Sequence, residues 1–287
     1  MKSKSGILLT GANGAVGKRL FRLLEANGYS VWPCVRTEDQ AREWRSHCKR
    51  TIVTDLGKLS TLPDQVGHII HAAASPVSPE QFEADNINAT VSLAELAARS
   101  GIRSFVFFSA VSVYGTITDS VVDETTALDN PGAYGLSKLA GEDIVLAQRG
   151  HFVPVVLRLP GIIGAGSHRN WLSRVKDSLA VDSPVRYFNG ESAFNNAVHM
   201  EDLASLCGDI IGTECEGGIY TLAAAGTLRV KETLQIMASA IGSKSELQEM
   251  PTSQQSWTIS SKKAVKNLGY RPMRIERMIE KFAKERF

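Results

Sequence analysis

A tyrosine and a lysine, Tyr134 and Lys138, stand four residues apart and are the pair in this sequence best suited to acid–base chemistry. Because residues at this spacing share one face of a helix, their side chains are predicted to be neighbours. An ammonium group near a phenol favours the phenolate and lowers the tyrosine pKa from about 10 toward neutral pH. In that state Tyr134 can exchange a proton with a substrate hydroxyl or carbonyl. Tyr and Lys at this spacing are also common on exposed helix faces, so the surrounding sequence decides whether the pair has a chemical role.

A glycine-rich turn near the N-terminus supplies that context. The apolar run Ile7–Leu9 predicts a buried strand, and apolar residues recur at helical spacing from Val16 onward. A turn between a strand and a helix can cradle a pyrophosphate, because glycines let the backbone approach and the helix N-terminus offers free N–H groups. The turn has the spacing Gly-x-x-Gly-x-x-Gly, and its predicted cofactor contacts are Gly11, Asn13, Gly14, Ala15, Val16 and Gly17.

The residue after the second predicted strand indicates which dinucleotide is bound. Val31–Val35 forms that strand, and Arg36 follows it. About twenty residues beyond the glycine turn, sites that prefer NAD place an acidic side chain for the ribose 2′-hydroxyl. A guanidinium instead suits a 2′-phosphate, which it can bind in a bidentate way. The alternative is a solvated arginine at a strand end. Arg36 therefore favours NADP over NAD.

The order of elements predicts the fold class. Short apolar strands alternate with helical stretches up to about residue 160, including a helix from about Pro79 to Ser100. This alternation is typical of an α/β protein with a Rossmann-type, doubly wound parallel sheet. Beyond it the elements become shorter and richer in Gly, Ser and Asn. We predict a dinucleotide-binding domain at residues 1–160 and a mainly substrate-binding lobe at 161–287, with some elements returning to the sheet.

Composition excludes several other classes of protein. The net charge is +2 and no long basic run is present, so neither nucleic acid nor an anionic membrane is indicated as a partner. No secretory signal or bilayer-length apolar stretch is found, and the four cysteines show no Cys-x-x-Cys spacing, which predicts a cytoplasmic protein. His68 and His71 lie three apart on a predicted strand, hence on opposite faces, so no metal site is predicted.

Several segments together resemble one known family, the extended short-chain dehydrogenase/reductases, in its epimerase/dehydratase group. The resemblance covers nearly the whole chain. The similar segments are the glycine turn with Thr10, Asp55-Leu56, His71–Ala74, Asn86–Thr90, Ser109–Gly115, Tyr134–Glu142, Val198–Asp202 and Leu268–Pro272.

The resemblance implies roles for particular residues. Asp55 and Leu56 would contact the adenine, and Lys138 would hold the nicotinamide ribose as well as tune Tyr134. The small residues Ala72, Ala73 and Ala74 would allow the cofactor to approach the end of the fourth strand. The implied reaction is hydride transfer at a carbinol or carbonyl carbon, alone or within an epimerisation or dehydration of a nucleotide sugar. The family also implies a homodimer.

Three residues depart from the family pattern. Ala110 occupies the position of a catalytic Ser or Thr, so Ser109 or Ser112 would have to supply the missing hydroxyl. Loss of such a donor lowers a rate by roughly a hundredfold or more. Gly161 stands where nucleotide-sugar enzymes often carry Asn, and Asn195 where many carry an Arg that grips the substrate diphosphate.

These departures leave two alternatives open. Arg36, Gly161 and Asn195 favour an NADPH-dependent carbonyl reductase whose small-molecule substrate has no nucleotide. Ala110 favours a non-catalytic dinucleotide sensor, which the intact Tyr134–Lys138 pair disfavours.

Overall fold

The computed structural model describes residues 5–75 and 78–285, in which strands and helices alternate. The strands in this part of the chain are β1 (Gly6–Thr10), β2 (Val31–Val35), β3 (Ile52–Val53), β4 (Val66–His71), β5 (Ser104–Ala110), β6 (Val121–Val122), β7 (Val153–Leu159), β8 (Gly161–Ile163), β9 (Val185–Tyr187), β10 (Ala193–Phe194), β11 (Ala197–His199), β12 (Gly218–Thr221), β13 (Leu228–Arg229), β14 (Leu247–Glu249) and β15 (Thr258–Ile259).

The helices follow most of these strands. They are α1 (Ala15–Ala26), α2 (Glu38–Arg45), α3 (Pro79–Gln81), α4 (Ala89–Arg99), α5 (Ala133–Ala147), α6 (Trp171–Ala180), α7 (Met200–Gly212), α8 (Val230–Ile241), α9 (Lys262–Leu268) and α10 (Ile275–Lys284). A π-helix, Phe82–Asn88, joins α3 to α4, so the predicted helix from Pro79 to Ser100 is present, but part of its first half has the wider i→i+5 winding of a π-helix. A 3₁₀ turn, Val111–Tyr114, follows β5.

Seven strands form one parallel sheet in the order β12-β7-β5-β4-β1-β2-β3. The order reverses between β1 and β4, because β2 and β3 lie on one side of β1 and the later strands lie on the other. In sheets of this kind, ligands bind in the crevice at the carboxyl ends of the strands where the order reverses. The predicted α/β class with a Rossmann-type sheet is confirmed.

Both faces of the sheet are covered, as in a doubly wound fold. In the fully buried strand β1, Leu9 packs with Leu20 and Leu24 of α1, whereas its neighbour Leu8 packs on the other face with Leu93 of α4. Successive strand residues point to opposite faces, so an unbroken apolar run is what a strand covered on both sides requires.

The C-terminal part of the chain forms a hydrophobic cluster of its own and also adds elements to the large sheet. A separate hydrophobic cluster joins Leu172 of α6, Leu234 of α8 and Phe282 of α10. In contrast, β12 pairs with β7 at the edge of the large sheet, and α7 packs against α1. We therefore propose residues 1–160 and 161–287 as the two domains, with β12 and α7 of the second range assigned to the sheet.

Candidate active site

A cavity of about 430 Å³ lies at the crevice between the carboxyl ends of β1 and β4. Its walls come from the glycine turn and from the ends of β2, β3 and β4. Nine of the predicted cofactor residues line it, namely Gly11, Asn13, Gly14, Arg36, Asp55, Leu56, Ala72, Ala73 and Ala74.

The glycine turn needs glycine for two different reasons. Gly11 has φ +67°, and a Cβ there would lie 2.7 Å from the backbone nitrogen of Ala73. A Cβ on Gly17 would lie 2.2 Å from the carbonyl oxygen of Gly11. Gly17 therefore acts by letting α1 pack against the turn, and Val16 packs against the core beside it. The other predicted cofactor residues, Ala15, Val16, Gly17 and Lys138, are not among the described residues that line the cavity.

The start of α1 is left open toward the cavity. The helix begins at Ala15, has no side-chain cap on Gly14 and has no acidic residue in its first turn. Its first N–H groups and its partial positive charge are thus available to an anion. Asn13 also carries a buried Oδ1 that has no hydrogen-bond partner in the described chain. These features fit a dinucleotide whose pyrophosphate lies against the turn.

Arg36 lies at the end of β2 with 59% of its side chain exposed. Its Nη2 lies 3.0 Å from Oδ1 of Asp85, a residue of the π-helix. Arg36 and Asp85 both line the cavity, together with Gln40, whose Oε1 accepts a hydrogen bond from the Arg36 backbone N–H. The Arg36 guanidinium therefore lies at the cavity as predicted, but it is paired with the Asp85 carboxylate, which the sequence analysis did not predict there.

Lys138 is buried in α5, with 3% of its surface exposed. Its Nζ donates a 2.7 Å hydrogen bond to the carbonyl oxygen of Phe108 in β5 and lies over the ring of Phe107. Burial lowers the pKa of Lys138 to about 8, and the nearby Glu142 opposes this shift. The ammonium is therefore held at a fixed point beside the end of β5.

Tyr134 lies in the first turn of the same helix, and its ring meets the edge of Phe82. Burial raises the pKa of Tyr134. The prediction that Lys138 lowers this pKa is wrong, because burial of the phenol raises it and the Lys138 ammonium is hydrogen-bonded to the Phe108 carbonyl. The phenol is thus neutral at neutral pH.

A hydrogen-bond chain connects α5 to the loop after β4. The Ser137 hydroxyl donates to the carbonyl oxygen of Tyr134, and Asn86 Nδ2 donates to that hydroxyl over 3.0 Å. Asn86 Oδ1 in turn accepts from the backbone N–H of Ser75 at 2.7 Å. Neither Asn86 nor Ser137 was predicted as a site residue, although Asn86 lies in a segment that resembles a family motif.

The two candidate hydroxyls near Ala110 occupy different environments. Ser109 is buried and donates a hydrogen bond to Glu142. Ser112 is exposed, and its hydroxyl has no partner among the described residues. A Cβ on Gly135 would lie 2.3 Å from the Ser112 carbonyl oxygen, so the 3₁₀ turn packs directly on the first turn of α5. Of the two candidate hydroxyls, only that of Ser112 is left without a partner among the described residues.

A buried ion pair lies beneath this turn. Glu142 and Arg158 are 1% and 3% exposed, and Arg158 Nη2 lies 2.7 Å from Glu142 Oε2. The Arg158 guanidinium also lies over the ring of Tyr114. Because Ser109 donates to the same carboxylate, it belongs to this network, which joins α5, β5 and β7.

A second cavity, of about 390 Å³, lies in the C-terminal lobe and is called here the lobe cavity. It is lined by Val111, Pro160, Gly161, Ile163, Asn170, Trp171, Leu172, Phe194, Asn196, Ala197 and Trp257. Asn195, at the position where the resemblance predicts a diphosphate-binding Arg, is buried next to the lining residue Asn196. Its Nδ2 donates to the Ile259 carbonyl at 2.8 Å, and its Oδ1 accepts from the Ile259 N–H at 2.7 Å. Asn195 thus joins the segment between β10 and β11 to β15.

Residues 5–75 and 78–285 contain neither a candidate membrane span nor a candidate metal site. No helix in those ranges combines the length and apolar character needed to cross a bilayer. The same ranges hold no group of three or more His, Cys, Asp or Glu side chains placed to bind a metal ion.

Similar proteins were found at the levels of sequence and structure. The chain is 30% identical over 205 residues (69% of this chain, 47% of the relative) to UDP-2-acetamido-2,6-beta-L-arabino-hexul-4-ose reductase of Pseudomonas aeruginosa. It is 25% identical over 256 residues (85% and 75%) to 4-hydroxy-2-methyl-3-oxo-4-farnesyl-3,4-dihydroquinoline-1-oxide ketoreductase of Stigmatella aurantiaca. The chain spans about half to two thirds of the length of several curated relatives.

The whole fold has a counterpart in UDP-glucuronic acid 4-epimerase from Bacillus cereus, solved in complex with NAD. The TM-score is 0.79 at 19% identity, covering 98% of this chain and 97% of the other. This likeness shows the fold. A model described as the NAD dependent epimerase/dehydratase family matches residues 7–241. The predicted resemblance is thereby confirmed, and this chain belongs to the NAD-dependent epimerase/dehydratase family of enzymes.

Proposed function

We propose that this protein reduces a carbonyl group, or oxidises the corresponding carbinol, with NADP as its cofactor and Tyr134 as its proton donor and acceptor. The observation that carries the proposal is the position of Lys138. Its buried ammonium is fixed on the Phe108 carbonyl at the end of β5, one helical turn from Tyr134 and beside the sheet edge that carries the glycine turn.

Lys138, Tyr134 and Ser112 have separate roles in the proposed reaction. When bound, the cofactor supplies or accepts the hydride. The Lys138 ammonium uses one N–H on Phe108 and keeps two donors, which suit one hydroxyl of a ribose and the oxygen of Tyr134. Because burial raises its pKa, the Tyr134 phenol is protonated at neutral pH and suited to donate to a carbonyl oxygen as that oxygen gains negative charge. Ser112 would supply a second hydrogen bond to that oxygen in place of the hydroxyl absent at Ala110.

The choice of NADP rests on Arg36. It lines the cavity at the strand end where the ribose 2′ substituent is expected, and the side chain at this position is a cation instead of the acid that NAD-preferring sites carry. Asp55 and Leu56, which also line the cavity, would contact the adenine. The two named relatives support a reductive reaction, since one is named a reductase and the other a ketoreductase.

We further propose a cytoplasmic homodimer. All four cysteines are free thiols, and three of them are buried. Leu136 is 53% exposed on α5, which provides an apolar contact for the same helix of a second copy. Light scattering should give twice the chain mass, and Leu136→Asp should give the monomer. A monomeric parent protein would contradict the proposal.

Two other functions remain candidates because specific observations favour them. The family and the UDP-sugar reductase favour a reaction on a nucleotide sugar, in which an epimerase would retain tightly bound cofactor and cycle it. Ala110 favours a sensor without turnover. Purified protein should be mixed with NADPH and a panel of ketones while absorbance at the nicotinamide band is followed. Consumption of NADPH in equal amount to alcohol formed supports the reductase, whereas binding without turnover of any carbonyl or nucleotide sugar supports the sensor.

A further inference from the structure

The residues that line the lobe cavity indicate the chemical class of the substrate. This inference rests on the proposed reduction of a carbonyl group. We propose that this cavity receives the flat, apolar, ring-bearing part of a ketone substrate, and that the substrate carries no nucleotide diphosphate.

The position of the lobe cavity makes it the substrate side of the site. Strands β5 and β7 are neighbours, with Ala110 paired to Leu159. Val111 follows the first of these residues and Pro160 the second, and both line the cavity. Val111 also begins the 3₁₀ turn that packs on the first turn of α5, where Tyr134 lies. The cavity therefore begins at the sheet edge beside the proposed proton donor.

The lining of the lobe cavity is aromatic. Trp171 begins α6, and its ring meets the edge of Phe194 with centroids 5.5 Å apart. Trp257 contributes a third ring and packs in one cluster with Val111. Aromatic rings favour offset or edge contacts with another ring, which makes such walls complementary to a flat apolar group. A volume of about 390 Å³ lies within the range of sites for drug-sized ligands.

The same lining lacks what a diphosphate needs. None of the described residues that line the lobe cavity is charged. A buried phosphate is normally met by Arg or Lys, or by a free helix N-terminus. The N-terminus of α6 is already capped, since Asn170 Oδ1 accepts from the Ser173 N–H at 2.8 Å. Asn195 is likewise committed to the backbone of Ile259.

Two smaller features give the cavity room and one polar contact. A Cβ on Gly161 would meet Asn170 Cβ at 3.4 Å and Asn196 O at 3.6 Å, which are ordinary van der Waals distances, so the absence of a side chain there leaves space unfilled. Asn196 Oδ1 is buried without a hydrogen-bond partner in the part of the chain described. A rotation of this amide would offer a hydrogen bond to a hydroxyl or amide on the substrate ring.

The test uses binding and turnover as separate readouts, with 2-acetylnaphthalene as the ring-bearing ketone and UDP-glucose as the nucleotide probe. The NADPH-loaded protein should bind the ketone with quenching of tryptophan fluorescence, and an excess of UDP-glucose should not displace it. Gly161→Val, which fills the cavity, should weaken ketone binding and lower kcat/KM by about ten- to hundredfold. It should leave the Kd for NADPH unchanged. Phe188→Ala, at a residue 50% exposed and outside the cavity, is the matched control and should behave as the parent.

The outcomes separate this inference from the proposed function. Ketone binding that is sensitive to Gly161→Val but unaccompanied by NADPH oxidation would support the cavity assignment and overturn the reductase. Displacement of the ketone by UDP-glucose, or equal ketone binding in parent and Gly161→Val, would overturn the cavity assignment. A second variant, Trp257→Ala, tests the same cavity in case Gly161→Val does not fold. Unchanged ketone affinity in Trp257→Ala would also count against the proposal.

Discussion

Arg36 and Asp85 form an ion pair inside the cofactor cavity, with Nη2 and Oδ1 3.0 Å apart. They come from different elements, the end of β2 and the π-helix before α4. A 2′-phosphate and the Asp85 carboxylate would therefore compete for one guanidinium and repel each other.

Removing the competing carboxylate should change cofactor preference. We expect Asp85→Asn to tighten NADPH binding by about three- to tenfold and to leave NADH binding nearly unchanged, since the ion pair is partly exposed, with Arg36 open to solvent, and its net strength is modest. Arg36→Gln should abolish the preference for NADPH. Fluorescence titration with both dinucleotides measures this. Equal effects of Asp85→Asn on the two cofactors would show that the carboxylate does not sense the 2′ position.

The two serines near Ala110 should differ in their effects. Ser112→Ala should lower kcat by about ten- to hundredfold with little change in stability, because its hydroxyl is free to bond the reacting oxygen. Ser109→Ala should instead lower the melting temperature, because it removes a bond to the buried Glu142. Ala110→Ser, which restores the family hydroxyl, should raise kcat. If Ser109→Ala lowers kcat more than Ser112→Ala does at equal folded fraction, the assignment of the hydroxyl is wrong.

The buried ammonium of Lys138 predicts a pH-dependent contribution to stability. Its pKa is lowered from that of an ordinary lysine to about 8, so above pH 8 the unfolded chain binds more protons at this residue than the folded chain does. The free energy of unfolding of the parent should accordingly rise relative to Lys138→Met as the pH increases from 8 to 10. Urea denaturation at several pH values gives this difference. A difference that is constant over the range would contradict burial of the charged form.

The Glu142–Arg158 pair should be needed for folding. Glu142→Ala leaves the Arg158 charge buried and unpaired, which should lower the free energy of unfolding by about 3–5 kcal/mol. The double variant Glu142→Leu with Arg158→Met should recover much of that loss, since an apolar pair leaves no unpaired charge. Chemical denaturation of the single and double variants tests this. A single variant as stable as the parent would show that the pair is dispensable.

The features that sequence predicted well are local. Strand β1, the glycine turn and α1 follow one another in the chain. Their apolar spacing and glycine positions therefore predict the structure without contacts from distant residues. Strand alternation also placed His68 and His71 on opposite faces: His68 contacts Ser104, whereas His71 contacts Thr10 and Thr90.

The features that sequence did not predict depend on distant parts of the chain. The pKa of Tyr134 is raised by burial, which is a property of the packed molecule. The hydrogen-bond partner of Lys138 is in β5, 30 residues earlier in the chain. The pairing of Arg36 with Asp85 joins residues that no local pattern relates. Likewise, Val111, Phe194 and Trp257 meet around one cavity although more than sixty residues separate each from the next.

The most direct test of the account is the turnover of Tyr134→Phe with NADPH and a ketone that the parent protein reduces. The variant loses one hydroxyl and keeps its ring against Phe82, so it should fold and bind NADPH as the parent does. Loss of the proton donor should lower kcat by about a hundred- to ten-thousandfold. A Tyr134→Phe protein that retains the parent's kcat would contradict the proposed mechanism.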